Sequence, residues 1–100
     1  MRPDPVAAAL SGALDVANER HALLAANIAN LDTPGYVRAD LDFEAALADP
    51  SQAGNMVRRQ GMPDLNRELG SMAETDTYYE SCAKLLSMRY ALMRESVTMR

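Results

Sequence analysis

A chain of 100 residues is at most one domain, and its composition narrows what that domain can do. The net charge of −4, with no basic run, gives no reason to expect nucleic-acid binding, and a single cysteine, Cys82, excludes an internal disulfide and a cysteine-based zinc site. Hydrophobic residues make up 48% of the chain but only 5% are aromatic, so a core drawn from Ala, Leu and Met is a helix-on-helix core, marginal unless well packed.

The chain opens on Asp4 as a helix N-cap and Pro5 as a first helical residue. From there Ala7, Leu10, Leu14, Ala17, His21, Leu24, Ile28 and Leu31 recur at alternating spacings of three and four, a heptad seam that predicts a helix over 5–31. Asp15, Asn18, Glu19 and Arg20 fall off this seam, and Gly12 weakens the helix by up to roughly 1 kcal/mol relative to Ala. No apolar run approaches the roughly 20 residues needed to span a bilayer. Val6–Leu10 is too short for the apolar region of a signal peptide, which by itself points to the cytoplasm.

The first helix ends in Ala26-Asn27-Ile28-Ala29-Asn30-Leu31-Asp32-Thr33-Pro34-Gly35-Tyr36. Pro34 disfavours helical geometry at Thr33, and Pro-Gly suits the centre of a type II turn in which Gly35 takes positive φ. The short side chains of Asn27, Asn30 and Asp32 are suited to bonding backbone groups left unpaired at a helix end.

Residues 37–63 carry no helical seam of useful length. Asp40, Asp42 and Glu44 alternate with Leu41 and Phe43, which reads either as a short strand or as the start of a weak helix through Ala48. Asp49–Asn55 is a loop by composition, and Gly61-Met62-Pro63 is a breaker. The segment is expected to be an extended, mostly irregular connector that orders only against neighbours.

A second helix is expected from about Pro63 or Asp64 to Met99, with its seam at Leu65, Leu69, Met72, Asp76, Tyr79, Ala83, Leu86, Tyr90, Met93 and Val97. Tyr78, Leu85 and Leu92 widen the apolar face beyond a two-stranded seam, so this helix requires more than one neighbour. If the helices run antiparallel, Ile28 and Leu31 lie near Leu65 and Leu69. Leu10 and Leu14 then face Leu86 to Tyr90. His21 and Asp76, the polar seam positions, fall at similar heights, and the simpler expectation is that each faces water or another chain.

Catalytic and metal sites find little support. His21 has no second histidine to complete a metal site, so a packed or partly exposed seam residue is the plainer reading. Cys82 has no His or basic residue one turn away and reads as a small buried apolar residue. Asp40, Asp42 and Glu44 lack the Gly and Glu spacing of a calcium loop and read as a solvated edge. There is no phosphate-binding glycine loop and no nucleophile motif. No catalytic, cofactor-binding or metal residue is expected, and no enzyme. Two physical readings remain: a small helical hairpin with a floppy loop, or one subunit of an assembly that buries both helices from several sides. The wide second apolar face favours the assembly.

Asn27-Ile28-Ala29-Asn30 followed by Thr33-Pro34-Gly35-Tyr36 resembles the N-terminal signature of the bacterial flagellar rod and hook proteins. Leu31 is the one departure, where the family more often has a small residue. The run Asp64–Thr75 resembles a second rod signature, and Tyr79, Leu85-Leu86 and Arg89-Tyr90 resemble a further family motif. Met62-Pro63, Thr75 and the polar tail Ser96–Arg100 depart from it, and the chain is short over 45–63. The resemblance is close over 7–44 and looser over 64–95, and points to the short proximal rod proteins.

The resemblance implies an all-α subunit. Its two long helices form an antiparallel coiled-coil-like hairpin completed by packing in a helical tube. The divisions are 1–36 (helix and turn), 37–63 (connector) and 64–100 (second helix). It implies a structural part of the rod within the periplasm, transmitting torque and lining an export path, needed for flagellum-dependent motility. The chain would leave the cell by the flagellar type III route without a cleaved signal peptide. Implied partners are copies of itself, other rod proteins, the rod-base adaptor to the MS ring and export gate, and the export apparatus, with no nucleic acid and no direct membrane span. The implied packing residues are Leu10, Leu14, Leu24, Ile28, Leu65, Leu69, Met72, Tyr79, Leu86 and Met93. The implied signature turn is Asn27, Asn30, Asp32, Thr33, Pro34, Gly35 and Tyr36. The reading from another class is a cytoplasmic coiled-coil adaptor.

Overall fold

The computed structural model describes residues 4–98. The Met99 end point expected for the second helix lies outside the described residues. In chain order the elements are α1 (Pro5–Ala29), β1 (Ala39–Leu41), α2 (Phe43–Ala48), a 3-10 helix (Pro50–Met56), β2 (Val57–Arg59) and α3 (Leu65–Thr98). They form an elongated body of 62 × 23 × 16 Å. Among the described residues no helix is long and apolar enough to cross a membrane.

Local chemistry sets the ends of the long helices. The Asp4 carboxylate accepts the Val6 N–H at 3.1 Å, and Pro5 occupies the first turn, where its missing N–H costs nothing. At the other end the Asn30 backbone N–H donates to the Ala26 and Asn27 carbonyls, and its side-chain amide donates to Ala26 at 2.8 Å. That double use closes α1 at Ala29, two residues before the expected Leu31. α3 starts where Asp64 accepts the Arg67 N–H at 2.9 Å.

The connector departs from expectation, because 37–63 is mostly ordered. β1 and β2 pair antiparallel, Ala39 opposite Arg59 and Leu41 opposite Val57. Asp42 caps α2 through the Ala45 N–H. Both alternatives for Asp40–Ala48, strand and helix, are realised one after the other. The order comes from α1. Val16, Leu41, Ala46 and Ala53 form the buried apolar cluster, with Leu23, Phe43, Leu47, Met56 and Val57 packed against it. Apart from Val16 and Leu23 on α1, these residues are scattered along the connector and meet α1 only when it folds back, so no window of sequence periodicity shows them. Gly12 has a structural reason: a Cβ there would stand 3.1 Å from Cγ of Pro50, where the 3-10 helix crosses α1.

α1 is therefore covered on more than one side, by the connector and by α3. Side-chain bonds to α3 run in opposite senses along the two helices, from Asp4 with Arg89, through His21 with Asp76 and Arg20 with Thr75, to Asn27 with Glu68. His21 Nδ1 and Asp76 Oδ1 lie 2.8 Å apart, so these two polar positions meet each other instead of facing water separately.

The face that α3 turns to α1 differs from the expected seam. Its buried residues are Glu68, Thr75 and Cys82, seven apart, with Arg89 next in the series bonded to Asp4. Each stands one residue before Leu69, Asp76, Ala83 and Tyr90, a turn of roughly 100° about the axis. Polar bonds account for the rotation. Glu68 bonds Asn27 and Arg38, and Thr75, besides donating to the Ser71 carbonyl of its own helix, accepts from Arg20, while Leu65 and Leu69, expected near Ile28 and Leu31, are exposed. On α1 the off-seam Arg20 and Asn27 are buried and the seam residue His21 is exposed.

Candidate assembly interface

The turn is built as its residues demand. The Tyr36 N–H donates to the Thr33 carbonyl at 3.2 Å, and Gly35 sits at φ +74°, a region that β-carbon sterics close to most residues. The Thr33 hydroxyl donates to Asn30 Oδ1 at 3.0 Å, tying the turn to the helix end. Asp32, Thr33, Pro34 and Gly35 are exposed and Tyr36 is half-buried. With Leu31, Val37 and Gly61-Met62-Pro63 these residues line a shallow cleft.

Asn27 does more than cap a helix end. Fully buried, its side-chain amide donates to the Ala39 carbonyl at 2.7 Å and its carbonyl accepts the Ala39 N–H at 2.9 Å, as a neighbouring strand would. The Tyr36 hydroxyl also reaches its Oδ1, at 3.4 Å. The amide donates again, at 3.0 Å, to Glu68 on α3. One residue thus joins α1, the turn, β1 and α3.

Around Asn27 lies a polar cluster that apolar periodicity does not reveal. Arg38 Nη2 donates to Glu68 Oε1 at 2.7 Å, and Nε to both carboxylate oxygens at 3.2 Å. The Asp64 N–H supplies a further donor to Glu68 at 3.0 Å. Burial alone would push the Glu68 carboxyl up; the Arg38 guanidinium, the Asp64 N–H and the Asn27 amide outweigh it and hold the group below its ordinary value. The same bond pushes the Arg38 guanidinium up. Arg20 bonds Asp40 at 3.1 Å and Thr75 Oγ1 at 3.3 Å, and lies 4.9 Å over the Phe43 ring. Phe43 in turn meets Tyr78 edge-on at 5.2 Å between centroids. Among the described residues no buried side-chain nitrogen or oxygen lacks a partner.

Asp40, expected on a solvated edge, is instead the shared carboxylate of Arg20 and Arg38; Glu44 is exposed as expected. Arg20, Arg38, Glu68 and Thr75 were not among the expected site residues. For Glu68 and Thr75 the signal in the sequence is the seven-residue recurrence of Glu68, Thr75, Cys82 and Arg89, which becomes visible once polar residues are allowed on a seam. Cys82 is buried, as read.

Of the expected packing residues, Leu24 is buried and Leu10, Leu14, Ile28, Met72 and Leu86 are half-buried. Leu65, Leu69, Tyr79 and Met93 are exposed, so these four do not lock helix to helix within the chain. With Leu85, Met88, Tyr90, Leu92 and Val97 they leave much of α3 bearing large apolar side chains that this chain does not cover.

The helix and turn that carry this geometry have known relatives. Residues 8–36 match the family described as flagella basal body rod protein. The flagellar basal body rod protein FlgB of Proteus mirabilis strain HI4320 is 50% identical over 42 residues, covering 42% of this chain and 31% of that protein. FlgB of Escherichia coli K12 is also 50% identical over 42 residues, covering 30% of its length. FlgB of Salmonella typhimurium LT2 is 54% identical over 35 residues, 35% of this chain and 25% of that protein. The matched stretch spans under a third of each relative. Over α1 and the turn it leads into, the chain is similar to the flagellar basal body rod family and is FlgB-like over that stretch.

Proposed function

We propose that this chain is a structural subunit of the proximal rod of the flagellar basal body. In this reading the antiparallel pair of α1 and α3 is a coiled-coil-like layer, made of both chain ends, that neighbouring subunits complete into a tube. The observation that carries the proposal is the row of large apolar side chains along α3, from Leu65 to Val97, exposed on a chain whose turn resembles the rod family. So many large apolar side chains left in water on one helix favour a contact with another chain. Contacts between different faces of successive subunits do not close on themselves and propagate as a helix in space.

The tube is the torque-transmitting shaft in the periplasm, and its inner wall is the export path. Its neighbours are copies of this chain, other rod proteins and the rod-base adaptor, reached through the flagellar export apparatus. The work is done by packing; no chemical step is assigned to any residue.

Deletion of the gene tests the reading. Cells lacking the chain should assemble no hook or filament and fail to spread in soft agar. Wild type should restore both, and a Leu85→Glu, Leu92→Glu double variant should restore neither while still being exported. Normal motility of the deletion strain would end the rod assignment.

A further inference from the structure

β1 and β2 form a two-stranded ladder whose outer edges are finished differently. Along an antiparallel pair, residues alternate between bonding the partner strand and turning their backbone groups away from it. The Gln60 N–H donates to the Arg38 carbonyl and the Asp42 N–H to the Met56 carbonyl, both at 3.0 Å. By the register, Asp40 and Arg58 are then the bonded pair between them, and Ala39, Leu41, Val57 and Arg59 turn outward. On the β1 side the outward groups are largely occupied. Asn27 takes both backbone groups of Ala39, and Asp40 Oδ1 accepts the Leu41 N–H at 2.7 Å. On the β2 side the Val57 carbonyl and both backbone groups of Arg59 make no hydrogen bond among the described residues.

That open edge is accessible and positively charged. Arg58, Arg59 and Gln60 are exposed, and β1 is the main neighbour of β2. Arg67, at the start of α3, lines the same cleft as Arg58 and Gln60. Arg58 pairs loosely with Asp42, at 3.5 Å, and neither Arg59 nor Arg67 has a carboxylate partner among the described residues. The chain as a whole stands at −4, so this corner runs against its overall charge. The edge does not suit a second copy of itself. Two β2 edges paired antiparallel, residue for residue, set Arg58 opposite Arg58, and like charges directly opposite are destabilising. Charge on an open edge thus turns away its own kind and favours a strand of opposite charge.

We infer that the free edge of β2 takes an extended acidic segment of another protein as a third strand. Backbone pairing supplies the attachment and side chains supply the choice, as in other strand additions. Running antiparallel, the segment sets one acidic residue opposite Arg59 and a second opposite Arg58. A β-branched apolar residue follows opposite Val57, which is half-buried against the apolar cluster. The first and third of these turn their backbone groups to Arg59 and Val57, and the middle one turns them away. The inference goes beyond the rod reading and does not rest on it, since it concerns the edge of β2 alone.

Amide NMR on the full chain, titrated with the blocked peptide Thr-Glu-Glu-Val-Thr, decides it. The β2 amides should shift, and exchange of the Arg59 N–H should slow. N-methylation of the first Glu or of the Val removes a donor to β2 and should weaken binding about 5-fold or more. N-methylation of the second Glu, whose N–H points away, should change binding less than about 2-fold. Thr-Lys-Lys-Val-Thr should bind about 10-fold more weakly, a difference that about 0.5 M salt narrows. Arg59→Pro removes the outward N–H without removing a ladder bond and should abolish the shifts, while Arg59→Gln keeps that N–H and should bind more weakly but still bind. No β2 shift with the acidic peptide, equal binding of the lysine peptide, or the same effect from all three methylations would each overturn the inference. So would unprotected Asp42 and Gln60 amides, which would mean no strand pair, or concentration-dependent β2 shifts without peptide, which would make a second copy the occupant.

Discussion

α1 and α3 are both long helices, yet they are built into the molecule in opposite ways. α1 buries seven of its 25 residues, five of them apolar; α3 buries three of its 34, and only Cys82 is apolar. Lower apolar content is only part of the contrast, since α3 still carries Leu, Met and Tyr along its whole length and leaves many of them exposed. The number of neighbours supplies the rest. α1 is flanked by the connector and by α3, whereas α3 has α1 as its main neighbour. A helix with one neighbour can bury one stripe, and α3 gives that stripe to polar residues. Many of its large apolar residues are left exposed. Arg38→Met puts the contrast under the greatest strain. It leaves Glu68 fully buried with its cation gone, and breaking a buried pair from one side costs about 3–5 kcal/mol.

The same pair sets a pH signature. Glu68 in the wild type is held below its ordinary value, so its contribution is present above the unfolded carboxylate pKa of about 4.3 and is lost as pH falls through the lower folded value. In Arg38→Met burial acts without its main opponent and the folded pKa moves up. That variant should therefore lose stability as pH rises above the unfolded carboxylate value toward the raised folded one. Urea melts at pH 4 and pH 8 read both signs, and a variant with the wild-type pH profile would show that Glu68 draws nothing from Arg38.

Leu24→Ala should come next, at about 2–5 kcal/mol, because Leu24 is the largest fully buried side chain of α1. Leu86→Ala, at a half-buried position of α3, should cost clearly less in the same thermal melts; equal losses would mean the two helices are packed alike. Gly35→Val forces a β-branched side chain to positive φ, at a cost of order 1–3 kcal/mol. No atom stands within 4 Å of the added Cβ, so the penalty is conformational, and Gly35→Asn should recover part of it. The smallest effect on the chain alone belongs to Leu85→Ser and Leu92→Ser, within about 0.5 kcal/mol as at other exposed positions. In cells the same pair should reduce swarming sharply. A marked loss of stability in the purified chain would place these residues in an intramolecular core instead.

What the sequence determined by itself is everything that depends on near neighbours in the chain. Asp4 and Pro5 start α1, Asn30 and Pro34 end it, and Gly35 takes the positive φ that the turn requires, because caps and turns act over a few residues. The turn motif also carried the family resemblance. Which face of α3 meets α1, how 37–63 folds and why Arg38, Glu68, Arg20 and Thr75 matter were decided in three dimensions. A seam drawn from apolar spacing assumes that burial follows hydrophobicity. Here a carboxylate 41 residues from Asn27 and 30 from Arg38 is buried because both reach it, and that pairing exists only once the chain has folded back on α1.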